Sequence, residues 1–232
     1  LEFLVRHAWF EPVLVVGTYR DVEVEAPGHP LRPLLTPLLS RATTVRLTGL
    51  DRAGVGELVA RVTGVAPDPD QVTDLHRRTG GNPFFVEQTA QLEPGAPVAS
   101  GVREAVERRL ELLPPRVTDV LRAASVIGQE FAPSVLAAVC AVPVDGLAEL
   151  LAPAVAGRLV ARGPGDGYAF THDLVRECLY TALPDGRRRA LHAAVVRALP
   201  AAVGPAAAAH HARRAVPDLP AEEAVEHLLA AA

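Results

Sequence analysis

The chain has 232 residues, which is enough to bury a sizeable core and to hold two small domains. Apolar residues make up 49% of it but aromatic residues only 4%, so the core must be built from alanine, valine and leucine, a composition that favours helices. The net charge of −4 excludes a general attraction to nucleic acid, and any contact with DNA would require a local basic patch.

Sequence features that direct a chain into or across a membrane do not occur. No basic segment followed by an apolar segment opens the sequence, and there is no run of 18 apolar residues. Cys140 and Cys178 lack metal-ligand spacing and are typical of small core residues in a reducing compartment. We therefore expect a cytoplasmic protein without membrane contact. Because the sequence starts at Leu1 and contains no methionine, we also expect it to be a fragment.

Residues 1–50 combine helical and strand patterns. An amphipathic helix is predicted over residues 1–10, followed at 13–16 by a short apolar run of the kind found in strands buried on both faces of a parallel sheet. A helix interrupted by prolines is predicted near residues 31–38, and a second strand at 43–47. These elements indicate part of an α/β layer.

Arg20 follows the first predicted strand. Ligands of open α/β sheets bind beside the carboxyl ends of strands, and a guanidinium at that place suits phosphate oxygens. A surface ion pair with Asp21 is the alternative.

Two helices are predicted after residue 50. Asp51 is expected to cap the first and Gly64 to end it, and residues 67–70 begin the second. The second helix leads into the segment whose local sequence is the most distinctive.

That segment is a helix–helix corner with two glycines. Gly80 and Gly81 are expected to end one helix, Asn82 to cap the next, and Pro83 to occupy its first position. The N–H groups at such a helix start suit a phosphate or the polar edge of a base. A tight corner without a ligand is the alternative.

A linker rich in proline, glycine and small residues is predicted at 92–100. Beyond it, apolar spacing predicts helices over 102–113, 117–127, 135–139 and 144–155. Residues 159–162 and 168–171 flank a glycine-rich turn and are predicted to form a β-hairpin. Several helices followed by a hairpin indicate a winged helix.

The last part of the chain is predicted to be helical throughout. Pro184 separates an amphipathic helix around residues 174–182 from one around 191–199. Alanine-rich segments at 206–211 and 221–232 indicate a further pair of helices, of the kind that begins a helical-repeat array.

The motifs needed to hydrolyse a nucleoside triphosphate do not occur in the sequence. There is no Gly-x-x-x-x-Gly-Lys-(Ser/Thr) phosphate loop and no apolar strand ending in Asp-Asp or Asp-Glu that could hold Mg²⁺. His172-Asp173 and His210-His211 lack cysteine partners at metal-ligand spacing. We predict no catalytic residue and no metal site in this chain.

Four stretches, in this order, carry a resemblance to a known family. Thr79-Gly-Gly-Asn-Pro-Phe-Phe-Val-Glu87 resembles the Gly-x-Pro motif of STAND-type ATPases, in particular the AAA-like modules of large LuxR-type bacterial transcriptional regulators and related signalling proteins. Val13-Leu-Val-Val-Gly-Thr-Tyr-Arg-Asp21 is similar to the strand ending in the sensor arginine, and Val45-Arg-Leu-Thr-Gly-Leu-Asp51 to the next strand. Phe170-Thr-His-Asp-Leu-Val-Arg-Glu-Cys-Leu-Tyr180 is similar to the segment closing the winged helix of that family.

The resemblance implies a fold that is mainly α with a partial α/β portion. The implied parts are the C-terminal part of a P-loop NTPase core at 1–50, a helical lid at 51–95, a winged-helix domain at 101–183 and the start of a TPR-like helical array at 184–232. In the family the phosphate loop and the metal-binding strand lie upstream of these parts. The chain alone is therefore expected to be inactive.

The resemblance also implies a function, that of an ATP-binding signal-transduction switch that regulates transcription. ATP or ADP would be bound, with Mg²⁺ in the intact protein. Arg20 would sense phosphate, and Gly81, Asn82 and Pro83 would approach the adenine, so that nucleotide state repositions the lid and the winged helix. A protein partner or self-association through the helical array is also implied.

Two other classes of function stay open. In a DNA-binding winged helix, the densest basic patch would contact phosphates; it consists of Arg176, Arg187, Arg188, Arg189 and Arg197. The predicted hairpin turn carries Asp166 and no cation, which disfavours contact with a DNA groove, so we expect no direct DNA binding. A helical protein-interaction scaffold without nucleotide is the other alternative.

Overall fold

Helices account for most of the described chain. The computed structural model describes residues 14–19, 24, 29–40, 42–92, 98–163, 165–200 and 204–231. Within these residues there are twelve helices and a small three-stranded antiparallel sheet, so the protein is mainly α-helical, as its composition predicts. The chain divides into two compact units, Leu1–Thr48 and Gly49–Ala232.

The elements are, in chain order, α1 (Arg32–Leu39), α2 (Arg52–Thr63), α3 (Pro69–Thr79), α4 (Pro83–Ala90), α5 (Ser100–Glu111), α6 (Pro115–Ile127), β1 (Glu130–Phe131), α7 (Pro133–Cys140), α8 (Val144–Ala156), β2 (Val160–Arg162), β3 (Tyr168–Phe170), α9 (Asp173–Thr181), α10 (Asp185–Ala198), α11 (Pro205–Ala215) and α12 (Ala221–Ala230).

The first unit differs from the predicted α/β layer. Helix α1 is present, with Pro37 inside it, but the described residues 14–19 and 42–48 form no strand. Leu14 is 87% exposed and Leu47 84% exposed. A strand buried on both faces requires neighbouring strands, and no described residue pairs with these two segments. The helix predicted over 1–10 lies outside the described residues.

Helix ends in the second unit follow the predicted caps. The carboxylate of Asp51 accepts a hydrogen bond from the Gly54 N–H at 2.8 Å, which starts α2. Gly64 ends α2 in the left-handed conformation, with φ of +76°. Asp68 and Gln71 form a capping box at the start of α3. The local sequence therefore determines where α2 and α3 begin.

The predicted β-hairpin is confirmed and belongs to a sheet with the order β1-β3-β2. Val160 pairs with Phe170 and Arg162 with Tyr168. Strand β1, which the sequence did not predict, adds only two residues on the other side of β3. The helices predicted on either side of this sheet are confirmed as α5 to α9, and Pro153 lies in the last turn of α8.

Three groups of buried side chains hold the second unit together. The largest is centred on leucines and joins α5–α10 to the sheet; the completely buried leucines are Leu121, Leu136, Leu147, Leu151, Leu159, Leu174 and Leu179. A smaller group beneath α2 and α4 includes Val55, Val59 and Val86. The third joins α10, α11 and α12 and consists mostly of alanines, with Val196 and Leu219.

The predicted linker at 92–100 lies mostly outside the described residues, which resume at Val98, a buried residue of the largest core. No single helix in the described part of the chain is long and apolar enough to cross a membrane; α7 and α8 meet the length and hydropathy criteria only as a pair bent by 96°.

Candidate functional site

The corner between α3 and α4 has the backbone conformation that its sequence predicts. Gly80 and Gly81 both have left-handed backbones, with φ of +59° and +69°. The Gly80 N–H donates to the His76 carbonyl at 2.8 Å, which closes α3. The side-chain oxygen of Asn82 accepts from the Phe84 N–H at 3.1 Å, and Pro83 is the first residue of α4. The predicted glycine helix end and asparagine cap are confirmed.

The corner is also bound to the segment before α2. The Leu50 N–H donates to the Gly81 carbonyl at 2.8 Å. A Cβ atom on Gly81 would overlap the backbone of Leu50, and one on Gly49 would overlap the Gly80 carbonyl. Glycine is therefore required at 49 and 81 for close approach of two backbones. The sequence indicated the left-handed turn but not this contact.

Thr79 supports the turn from inside. It is completely buried, and its hydroxyl donates to the Leu75 carbonyl at 2.7 Å and accepts from the Gly81 N–H at 3.2 Å. The Asn82 N–H donates to the Thr79 carbonyl at 3.1 Å. The N–H groups of residues 80, 81, 82 and 84 thus all have acceptors within the corner. A ligand here would meet the exposed Pro83 ring and the half-buried Asn82 side chain.

His172 lies directly against the corner. A Cβ atom on Gly80 would overlap the imidazole of His172, so this third glycine also permits a close contact. The imidazole is perpendicular to the Phe85 ring, with 5.8 Å between ring centroids. Burial, reinforced by the charge of Arg109, lowers the pKa of His172, although the Thr171 backbone and Asp173 oppose this effect. The ring is therefore neutral near pH 7.

Two ion pairs join α3 to α9 beside His172. Arg77 pairs with Asp173, and also with Asp74 at 2.6 Å in its own helix. Arg78 pairs with Glu177 at 3.2 Å, and both of these side chains are partly exposed. Exposed pairs contribute about 0–1 kcal/mol each. They orient α3 on α9 but add little to the stability of the contact.

The geometry thus brings together three of the segments singled out in the sequence. Residues 79–87 form the corner, Leu50 from the segment 45–51 is hydrogen-bonded to it, and His172 and Asp173 from the segment 170–180 lie on it. Of the predicted site residues, Gly81, Asn82 and Pro83 are adjacent in the corner, whereas Arg20 lies outside the described residues. His172 was not a predicted site residue. Its 92-residue separation from Gly80 left no local signal for the contact.

Two of the five arginines in the basic patch considered for DNA make close contacts within the protein. Arg176 donates to the Ser125 carbonyl at 3.2 Å, and Arg188 donates to Asp185 at 2.5 Å. The guanidinium of Arg188 also lies over the ring of Tyr180, 5.0 Å from its centroid. These cations stabilise the packing of α9 and α10, which reduces the charge available to a nucleic acid.

Comparisons of the chain with the models of protein families, with curated proteins and with solved structures give no match.

Proposed function

We propose that this chain is part of an ATP-binding signal-transduction switch, in a regulator of transcription, in which nucleotide state repositions a helical lid at 51–95 and a winged helix at 101–183. The observation that carries the proposal is the contact of the α3–α4 corner with the start of α9, through Gly80 and His172. The segments that resemble the nucleotide-contacting motif and the winged-helix motif are neighbours in the fold. A movement of the corner would therefore displace the start of α9.

The contact combines a weak polar part with a buried apolar part. Its polar part consists of two partly exposed ion pairs, Arg77–Asp173 and Arg78–Glu177, each contributing at most about 1 kcal/mol. The apolar part is the packing of the half-buried imidazole against Gly80 and Phe85, and Phe85 is itself buried in the largest core. A ligand can shift an equilibrium only by its difference in affinity for the two states. The two ion pairs are weak enough to be broken by a modest difference of this kind, whereas the burial of Phe85 would persist.

In the proposed site, the corner contacts the adenine through Pro83, while Arg20 donates to phosphate. The role of Arg20 rests on the resemblance of residues 13–21 alone. Binding of ATP and Mg²⁺ also requires a phosphate loop and a metal-binding strand N-terminal to Leu1, because the 232 residues contain neither motif. The helices from residue 184 onward would supply the surface for a protein partner.

A DNA-binding winged helix is the second class, and two observations disfavour it. Asp166 is exposed at the hairpin turn, and Arg176 and Arg188 are engaged inside the protein. A helical scaffold without nucleotide is the third class. It would share the corner but would show no response to nucleotide.

Calorimetric titration with ATP and ADP tests the proposal. The chain alone should bind both very weakly, and a protein that includes a phosphate-loop segment before Leu1 should bind both. In that protein, Arg20→Ala should weaken the response to ATP more than the binding of ADP, since it removes a charged donor worth roughly 1.5–3 kcal/mol. Pro83→Ala should weaken both nucleotides alike.

Pro69→Ala is the matched control, because Pro69 is also the first residue of a helix but lies at the other end of α3. It should leave nucleotide binding unchanged. If the longer protein binds nucleotide and neither Arg20→Ala nor Pro83→Ala changes affinity or turnover threefold, the corner is a structural turn and the site assignment is wrong. Absence of nucleotide binding by the longer protein would favour the scaffold.

A further inference from the structure

Two histidines from different helices face each other in the interior where α10 meets α11. His192 is 2% exposed and His211 is 5% exposed. Their Nδ1 atoms are 2.8 Å apart, and the Tyr180 hydroxyl of α9 is 3.0 Å from the other ring nitrogen of His192. We call Tyr180, His192 and His211 the histidine junction.

The hydrogen bonds of the junction determine where its protons are. The Ile127 backbone raises the pKa of His211, which is the effect of a carbonyl that accepts from the ring. A carbonyl cannot donate, so Nε2 of His211 carries the proton and its Nδ1 is an acceptor. His192 must then donate from Nδ1, and its Nε2 accepts from the Tyr180 hydroxyl. In this series of hydrogen bonds, the Tyr180 hydroxyl and the ring nitrogens of both histidines have partners when both rings are neutral.

The surroundings of the two rings carry positive charge. The cations that act on the junction or on the adjacent His210 are Arg176 of α9, Arg188 of α10, and Arg213 and Arg214 of α11. Two carboxylates of this region are already engaged, Asp185 with Arg188 and Asp218 at 3.9 Å from Arg189. No carboxylate in the described part of the chain contacts either imidazole of the junction.

A further proton on His211 cannot be accommodated in this arrangement, because it would place N–H groups on both Nδ1 atoms, two donors 2.8 Å apart. A further proton on His192 would lie on Nε2, where the Tyr180 hydroxyl can turn to accept it, so His192 is opposed by burial and by the surrounding cations. The pKa of His192 is lowered to about 3 and that of His211 to about 4. Burial is the main cause of both shifts, and neighbouring positive charge is the second cause.

We propose that the histidine junction is an acid-sensitive latch, which holds α11 and α12 on α9 and α10 at neutral pH and releases them on acidification. The proposal is independent of nucleotide binding. Opening would return both imidazoles to water, where the pKa of a histidine is about 6.5. The open state then binds more protons than the closed state, so the stabilisation that the latch provides is fully present above about pH 6.5 and is lost as the pH falls below it.

The expected effect is large because two groups contribute. Below about pH 6, each imidazole shifts the equilibrium towards the open state by up to about tenfold per pH unit, and the pair by up to about 100-fold. The loss continues until the pH reaches the lowered values of the closed state.

Hydrogen exchange of the 232-residue chain, measured from pH 7.5 to 5.0 and corrected for intrinsic exchange rates, tests the latch. Protection of residues 205–230 should fall at least about tenfold between pH 6.5 and 5.0, whereas that of α6 should change much less.

His227→Gln, in α12 but outside the junction, should keep this response. His211→Gln removes one titrating ring and should make the response clearly shallower. Protection that does not depend on pH in the wild type would overturn the proposal.

A second measurement uses only the wild-type protein, so it does not require that a variant fold. Nitrogen-15 shifts of the imidazoles in the wild-type protein should show the Nδ1–H form of His192 and the Nε2–H form of His211, with neither ring charged above about pH 5 while α11 stays protected. Titration of either ring near pH 6.5 with α11 still protected would mean that the closed junction tolerates the proton, and the latch would be rejected.

Discussion

The substitution Gly81→Ala tests whether the α3–α4 corner depends on the close approach of two backbones. Gly81 has a left-handed backbone, and an added Cβ atom would overlap the carbonyl and nitrogen of Leu50. Gly64 is the matched control, because it is also left-handed but an added Cβ atom meets nothing within 4 Å. The two substitutions share the backbone strain and differ in the contact.

The expected losses follow from the geometry. A left-handed backbone costs an alanine roughly 1–2 kcal/mol, partly offset because alanine restricts the unfolded chain more than glycine does. Gly64→Ala should therefore lower the free energy of unfolding by about 1 kcal/mol. Gly81→Ala adds the loss of the hydrogen bond from Leu50 to Gly81, about 1 kcal/mol, and the displacement of one backbone from the other. The total should be about 3 kcal/mol or more.

Urea unfolding at pH 7.5, followed by circular dichroism, measures both losses. The midpoint should shift at an unchanged slope, which shows that stability and not the unfolded state has changed. Equal losses for Gly81→Ala and Gly64→Ala would refute the reasoning, since the contact with Leu50 would then contribute nothing.

Three further predictions concern other parts of the chain. Asn82→Ala should lower the free energy of unfolding by about 1 kcal/mol and Asn82→Gly by only a few tenths, because glycine tolerates the cap position; denaturant unfolding of both variants checks this. Limited proteolysis with mass spectrometry should give the first interior cleavage within 92–100, and a first cleavage within 102–127 would place the boundary elsewhere. The region 101–199 should bind random duplex DNA no better than a neutral protein at physiological salt, and submicromolar retention in a gel shift would contradict this expectation.

Local signals were sufficient where one residue type determines a conformation. Asp51 and Asn82 were predicted as caps because their side chains reach N–H groups two or three residues away. Gly64 and Gly80 were predicted as helix ends because only glycine enters the left-handed region without strain. These interactions lie within one turn of helix, so the sequence contains all of the information they need.

The sequence was insufficient where a structure depends on distant partners. The strands predicted at 13–16 and 43–47 do not form within the described residues, since a strand needs another strand beside it. Strand β1 was missed because two residues are too short for a periodic pattern. The contact of His172 with Gly80 and the pairing of His192 with His211 join residues that are far apart in the sequence, and neither pair has a local pattern that predicts it.

The alanine-rich core between α10, α11 and α12 affects how the protein fluctuates. An alanine methyl group buries little apolar surface, and burial contributes about 0.8 kcal/mol per methylene-sized group, against about 1.5–3 kcal/mol for a whole leucine or valine side chain. The seam formed by Ala193, Ala212, Ala215 and Ala224 therefore stabilises α11 and α12 much less than the leucines stabilise α6 to α9. We expect the last two helices to open as a separate unit, many times more often than the chain unfolds as a whole. When α11 and α12 open, the alanines of α10 are exposed. The same two helices of another copy of the chain could then pack in their place without disturbing the rest of the fold.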